Sequence, residues 1–155
     1  MPLPSKDIVL QACAGTVAIR HPVLLAAYDL ARLHEARLDP AADCREIDHE
    51  RARLVSRIDS WVNTERPSAY DAAYLHTETV GMVIDRLAQF AVDARNATDQ
   101  NGPTLRSVYA QHRLTELAIA YSDLAFEVAS GIRRLPDFSF FVVEGDSPGA
   151  PDAPV

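Results

Sequence analysis

The sequence predicts an all-α fold, a four-helix bundle with a short N-terminal helix and a C-terminal extended arm. Three observations predict it. Ala110, Leu114, Leu117, Tyr121, Leu124, Val128, Gly131 and Leu135 alternate spacings of four and three, the seam of a left-handed bundle. Breaks at Asp39-Pro40, Pro67 and Asn101-Gly102-Pro103 leave long uninterrupted stretches joined by short connections, which imply antiparallel neighbours. The 155 residues, 48% apolar and 24% charged, suffice for one hydrophobic core without metal or disulfide staples.

Each element follows from local signals. Ser5 is placed to cap a short helix ending near Gly15. Pro22 suits the first turn of a helix running to about Leu38. A helix from about Asp43 to Glu65 carries Ile47, Leu54, Ile58, Trp61 and Val62 on one face. The next is expected from about Tyr70 to Thr98. The longest, from Thr104 to about Leu135, stops before Pro136. Phe138 to Val143 is aromatic and β-branched, and reads as an arm laid on the bundle or on a neighbouring subunit. The helical domain thus covers residues 1–144. Gly145 to Val155, rich in proline and glycine, reads as a disordered tail.

Composition narrows the function. With 15 Lys+Arg against 22 Asp+Glu the net charge is -7, and the clustered cations that neutralise nucleic-acid phosphates are missing. No apolar run approaches the roughly 18 residues of a membrane span. The amino terminus, with Asp7 and Gln11, lacks the apolar stretch of a secretory signal. Cys13 and Cys44 have no metal-type spacing and suggest a reducing compartment, so a cytoplasmic location is expected. There is no Gly-rich phosphate loop.

The histidines and one polar helix face are the candidates for chemistry. Glu46-x-x-His49 has the spacing of a di-iron ligand pair, but a helical wheel turns His49 away from the Ile47, Leu54 and Ile58 stripe, toward solvent. His112 and Glu116 also fall outside their helix's seam, so no metal and no cofactor are expected. His34 lies on the stripe of Val23, Ala27, Leu30 and Leu38, and His76 on that of Val80, Val83, Leu87 and Phe90. Antiparallel packing would set His76 level with Tyr121, an imidazole beside a phenol suited to proton transfer, or a core histidine satisfied by one hydrogen bond.

In the same helix Glu78, Thr79, Met82, Asp85 and Arg86 gather into a sector of about 120°. Gly81 in its midst costs about 1 kcal/mol relative to alanine, which suggests close packing or approach of a ligand. Two carboxylates two turns apart, with a guanidinium beside them, suit an ammonium and an anionic group together. The plainer reading is a solvated face with incidental ion pairs.

Glu78-Thr79-x-Gly81-x-x-Ile84-Asp85-Arg86-Leu87 resembles the Glu-Thr-Pro-Gly…Ile-Asp-Arg-Leu signature of the family catalogued as domain of unknown function 4254. Leu33-His34 resembles that family's Leu-His entry motif, and Arg51 to Trp61 its Arg-rich segment ending in Ile-Asp. The likeness covers about residues 20–135, and the Ala/Arg-rich flavour is similar to the actinobacterial branch. Val80 stands where that family usually carries proline. The resemblance implies an all-helical, cytoplasmic protein without a settled activity, and makes the Glu78 to Arg86 set a recurrent motif.

The leading functional expectation is a non-redox, secondary-metabolite type tailoring protein acting on a small polar metabolite that bears an amine and an anion, by cyclisation or elimination. If it is catalytic, the chemistry is of lyase, cyclase or transferase type. The catalytic set is His76, Glu78, Asp85, Arg86 and Tyr121, and the substrate-binding set His34, Tyr74, Thr79 and Met82. Little room for a deep pocket in one short bundle points to a site at a subunit interface, in a homodimer or a heterodimer with a related chain. The alternatives are a non-catalytic subunit or interaction module and, third, a di-iron carboxylate bundle.

Overall fold

In the computed structural model, which describes residues 1–98 and 102–138, the chain forms five helices. They are α1 (Lys6–Cys13), α2 (Pro22–Ala36), α3 (Cys44–Glu65), α4 (Val80–Ala97) and α5 (Leu105–Ala129). Two short extended pieces, β1 (Tyr74–Leu75) and β2 (Arg133–Arg134), pair in parallel, Tyr74 with Arg133 and Leu75 with Arg134. This is the expected all-α fold. No helix among the described residues is long and apolar enough to cross a membrane.

The helix starts are fixed by side chains that take up otherwise unpaired backbone N–H groups. Asp43 accepts from Arg45 N–H and Glu46 N–H at the start of α3. Thr104 and Ser107 bond reciprocally at the start of α5. At α2 the cap is His21, whose Nδ1 accepts from Val23 N–H at 3.1 Å, ahead of Pro22 in the first turn. Ser5 occupies the cap position of α1, but its side chain makes no capping hydrogen bond.

Two boundaries differ from expectation. The helix expected from Tyr70 starts ten residues later, at Val80, because Thr79 caps it by accepting from Met82 N–H at 3.2 Å. Residues 70–73 form a turn instead, closed by Ala73 N–H on the Tyr70 carbonyl, and Tyr74–Leu75 are extended. Tyr70 N–H donates to the Gly131 carbonyl (2.9 Å), and His76 N–H to that of Arg134 (2.8 Å). The helix expected to reach Leu135 ends at Ala129. Gly131, at φ +71°, is there a stop signal and not a member of the seam. Ile132 N–H reaches back to the Glu127 carbonyl and Gly131 N–H to that of Val128, the Schellman pattern that needs a left-handed residue. The seam itself holds up to that point, with Ala110, Leu114, Tyr121, Leu124 and Val128 buried.

α4 is the central helix. Val80, Gly81, Val83, Ile84, Leu87, Ala88, Ala91, Val92 and Ala94 are all buried, more than one face of a helix can supply, and α1, α2, α3 and α5 all pack on it. α2 and α3 close a three-helix triangle with α4. α1 fills the space between α2 and α4, while α5 packs on α4 and touches α1, and its end shares a small cavity with the end of α3, lined by Trp61, Val62, Val128 and Ala129. Of the expected arm only Phe138 belongs to the described residues. Residues 139–143 and the tail 145–155 lie outside them.

Candidate functional site

Three distant segments meet at the α2–α3–α4 triangle. His34 Nε2 lies 2.8 Å from Asp85 Oδ1. Arg51, on α3, reaches the same carboxylate with Nε at 3.2 Å and Nη2 at 2.6 Å. Arg51 also donates to Asp48, which Arg37 pairs from beyond the end of α2. The result is a chain of alternating charge, with buried His34 at its inner end and exposed Arg37 at its outer end. Burial works to raise the pKa of Asp85, but the hydrogen bonds from His34 and Arg51 outweigh it and hold the carboxyl below its ordinary value. An ionised carboxylate only accepts, so His34 Nε2 carries the proton.

One turn closer to the start of α4 the helices touch. Gly81 N–H donates to Asp59 Oδ1 at 2.7 Å. A side chain at Gly81 would meet the Val55 carbonyl oxygen at 2.5 Å and Asp59 Oδ1 at 2.8 Å, so the glycine is required by helix contact. Asp59 is half-buried, and burial raises its pKa against the bonds it accepts from Gly81 and the Thr79 hydroxyl, with Asp137 adding to the rise. Its hydrogen-bond donors are neutral, and no lysine or arginine among the described residues forms an ion pair with it.

Two adjoining open clefts follow this contact and share Ala52 and Val55. The first, of about 530 Å³, is lined by Ser56, Asp59, Ser60, Asn63, Thr79 and Met82, and by residues 135–138 from the segment after β2. The second, of about 390 Å³, is lined by Arg37, Asp48, Arg51 and Asp85. Together they form a trough with Asp59, a carboxylate whose hydrogen-bond donors are neutral, at one end and Arg37 and Arg51, paired with Asp48 and Asp85, at the other. Asp59 and Arg51 are eight residues apart on α3, about 12 Å.

The residues singled out by the sequence therefore separate. Thr79, Met82 and Asp85 line the trough, and His34 supports it from within. Glu78 and Arg86 pair with each other. His76 is not on the inward stripe of α4. It precedes the helix, half-buried, with Nδ1 against the backbone N–H and carbonyl of Glu78 (3.2 and 2.9 Å). Tyr121 is fully buried but does not bond to His76, since its hydroxyl donates to the Pro4 carbonyl at 2.8 Å and burial pushes the phenol pKa up. Tyr74 is exposed in β1. Glu46, His49, His112 and Glu116 are all exposed. Among the described residues no three His, Cys, Asp or Glu side chains come close enough to hold a metal ion. Arg37, Asp48 and Asp59 were not picked out individually. The available signal was the Arg51 to Trp61 segment, which presents Arg51 and Asp59 to the groove beside α4.

The segments that converge here, around His34, Arg51 to Asp59 and Glu78 to Leu87, are those that carry the sequence resemblance. The profile of the family described as protein of unknown function (DUF4254) matches residues 15–136. The chain belongs to this family. No curated protein matches it, and no solved structure does. The geometry gives the DUF4254 signature a physical content. Val80, where proline is usual, is the first residue of α4, the one helical position where proline's missing N–H costs nothing. The glycine after it is the α3 contact, and the aspartate four positions further on takes His34 and Arg51.

Proposed function

We propose that this DUF4254 protein binds a small polar metabolite carrying an amine and an anionic group in the α3–α4 trough and performs non-redox acid–base chemistry on it. The observation that carries the reading is the divergence of two carboxylates in one trough. Asp59 is pushed above its ordinary pKa by burial, while Asp85 is held below it by His34 and Arg51. Environments that drive like groups apart in this way are how one site obtains a proton-transferring acid and a fixed charge. Asp59 takes the amine and exchanges its proton, in place of the His76 expected from sequence. Arg51 and Arg37 face the anionic end, and Ser56, Ser60, Asn63 and Thr79 offer neutral hydrogen bonds between them.

Cyclisation or elimination with loss of the anion suits this set, as part of a biosynthetic pathway. The trough is open along its length, so a second subunit, the same chain or a related one, would be needed to exclude water from it. Two cysteines without a disulfide between them fit a cytoplasmic setting.

Calorimetric titration with phosphoethanolamine, a probe bearing both groups, tests the reading against ethanolamine and phosphate alone. Binding of the bifunctional probe, weakened about tenfold or more by Asp59→Asn and by Arg51→Gln, is the expected result for loss of one charged contact each. In the Asp59→Asn variant the amide oxygen still accepts from Gly81 N–H, so the helix contact is kept. No binding, or equal binding by wild type and both folded variants, overturns the proposal. A second reading, a non-catalytic subunit, is favoured by the apolar outer face of α5.

A further inference from the structure

α5 carries two seams. The inner one packs on α4. The outer one consists of Leu105, Tyr109, His112, Glu116, Ile119, Asp123 and Phe126, again at alternating spacings of four and three. Every one of these side chains is exposed, Leu105 at 88% and Phe126 at 68%. Val108 widens the apolar part and is 57% exposed. Because α5 is covered only by α4, by the edge of α1 and by β2, no described element lies over this side. What marks this face is five exposed apolar side chains, Leu105, Val108, Tyr109, Ile119 and Phe126, on one side of one helix, more than a solvated face commonly carries. The seam runs 22 residues, from Leu105 to Phe126, about 32 Å.

Its charges select the occupant. His112 lies in the N-terminal half of the seam, and Glu116 and Asp123 in the C-terminal half. We infer that the outer face of α5 pairs with the same face of a second copy of this chain, antiparallel. In an antiparallel seam one heptad register sets His112 against Glu116 of the second copy and Tyr109 against Ile119. The neighbouring register sets His112 against Asp123 and Tyr109 against Phe126. The first places a hydrogen-bonding imidazole beside a carboxylate and an aromatic beside an apolar side chain, twice over by symmetry, with Leu105 opposite Asp123 only at the ends; the second sets Glu116 against Ile119 near its middle, so the first is favoured. A parallel pair would stack Glu116 on Glu116 and Asp123 on Asp123, which like-charge repulsion opposes. A groove of about 540 Å³ along Thr98, Pro103, Val108 and Thr115 flanks the seam and gives Phe126 of the second copy a recess. This face is separate from the trough, with which it shares no lining residue.

Sedimentation equilibrium of the full chain across a concentration series tests the pairing. A dimer held together at about 10 µM is expected, with Phe126→Arg and Ile119→Arg each raising the dissociation constant about 30-fold or more, as for a central interface anchor. Both positions are exposed, so helix content and unfolding temperature should stay at wild-type values. His112→Glu should weaken the dimer and His112→Lys tighten it, and by more than the same charge changes at Gln111, outside the seam, since both copies are acidic overall. A monomeric wild type, including one in which residues 139–155 of the same chain cover the face, overturns the inference. So does a dimer indifferent to both arginine variants, or one that His112→Glu tightens.

Discussion

Gly81 N–H donates to Asp59 Oδ1 at 2.7 Å, and the hydrogen that Gly81 carries in place of a side chain is what lets α4 come that close to α3. The same contact fixes the height of α4 against α3, and so sets where Asp85, one turn further along, meets Arg51.

Gly81→Ala should therefore destabilise the protein, although alanine is the better helix former. A Cβ would stand 2.5 Å from the Val55 carbonyl oxygen, a backbone atom that cannot swing aside. Overpacking of this kind costs about 1–3 kcal/mol, against the roughly 1 kcal/mol alanine recovers in propensity. Urea unfolding checks it, and a variant as stable as wild type would show that the helices part easily at this point.

Asp85→Asn removes the charge that His34 and Arg51 share. A loss of about 1.5–3 kcal/mol at neutral pH is expected, the range for hydrogen bonds to a charged group. Asp85 has a depressed folded pKa, so its contribution is full above the ordinary value of 3.8 and is lost as pH falls through the folded pKa. The gap between wild type and variant should close in strong acid. A gap independent of pH would assign the loss to packing.

His21 should make stability sensitive to mild acid. Its Nδ1 accepts from Val23 N–H and its Nε2 lies 3.3 Å from the Pro2 carbonyl, so the neutral ring caps α2 and ties down the amino terminus. The ring packs edge-on against Trp61. Burial lowers its pKa below the ordinary 6.5, so the unfolded chain takes up the proton first. Stability is full above 6.5 and is lost as pH falls from there through the folded pKa. His21→Asn, which keeps a capping acceptor, should flatten that part of the profile in thermal melts. Parallel profiles for the two proteins would remove His21 from the account.

The two thiols should differ sharply toward an aromatic disulfide reagent. Cys44 is exposed at the start of α3, whereas Cys13 is buried and its thiol is pushed up to about 12. One thiol should react at once in native protein and the second only on unfolding, because the thiolate is the nucleophile. Cys44→Ser should abolish the fast phase. Rapid reaction of both native thiols would mean that α1 opens readily.

Tyr121→Phe should cost about 1–2 kcal/mol, the penalty of leaving the Pro4 carbonyl without its buried donor. Chemical denaturation measures it, and faster proteolysis near the amino terminus should accompany it. If the loss falls on turnover with stability unchanged, Tyr121 has a role in the site that its bond to Pro4 does not explain.

The sequence by itself determined the all-α class, the end of α3, the inner seam of α5 up to Val128, the burial of His34 and Tyr121 and the exposure of His49. All of these follow from apolar periodicity or from a local breaker, signals complete within a few turns of one helix. The motif around Gly81 was also legible as a place of close approach. What only the tertiary structure decided is which polar groups meet. Asp85 faces Arg51 across 34 residues and His34 across 51, and no wheel of one helix can show a partner on another. The start of α4 failed for the same reason. Residues 70–79 have helical neighbours in sequence, but their backbone N–H groups and carbonyls find better partners beside β2, and Thr79 then supplies the cap. A helix wheel records where a side chain points, whereas the partner it meets is fixed by long-range packing of α4 against α2 and α3.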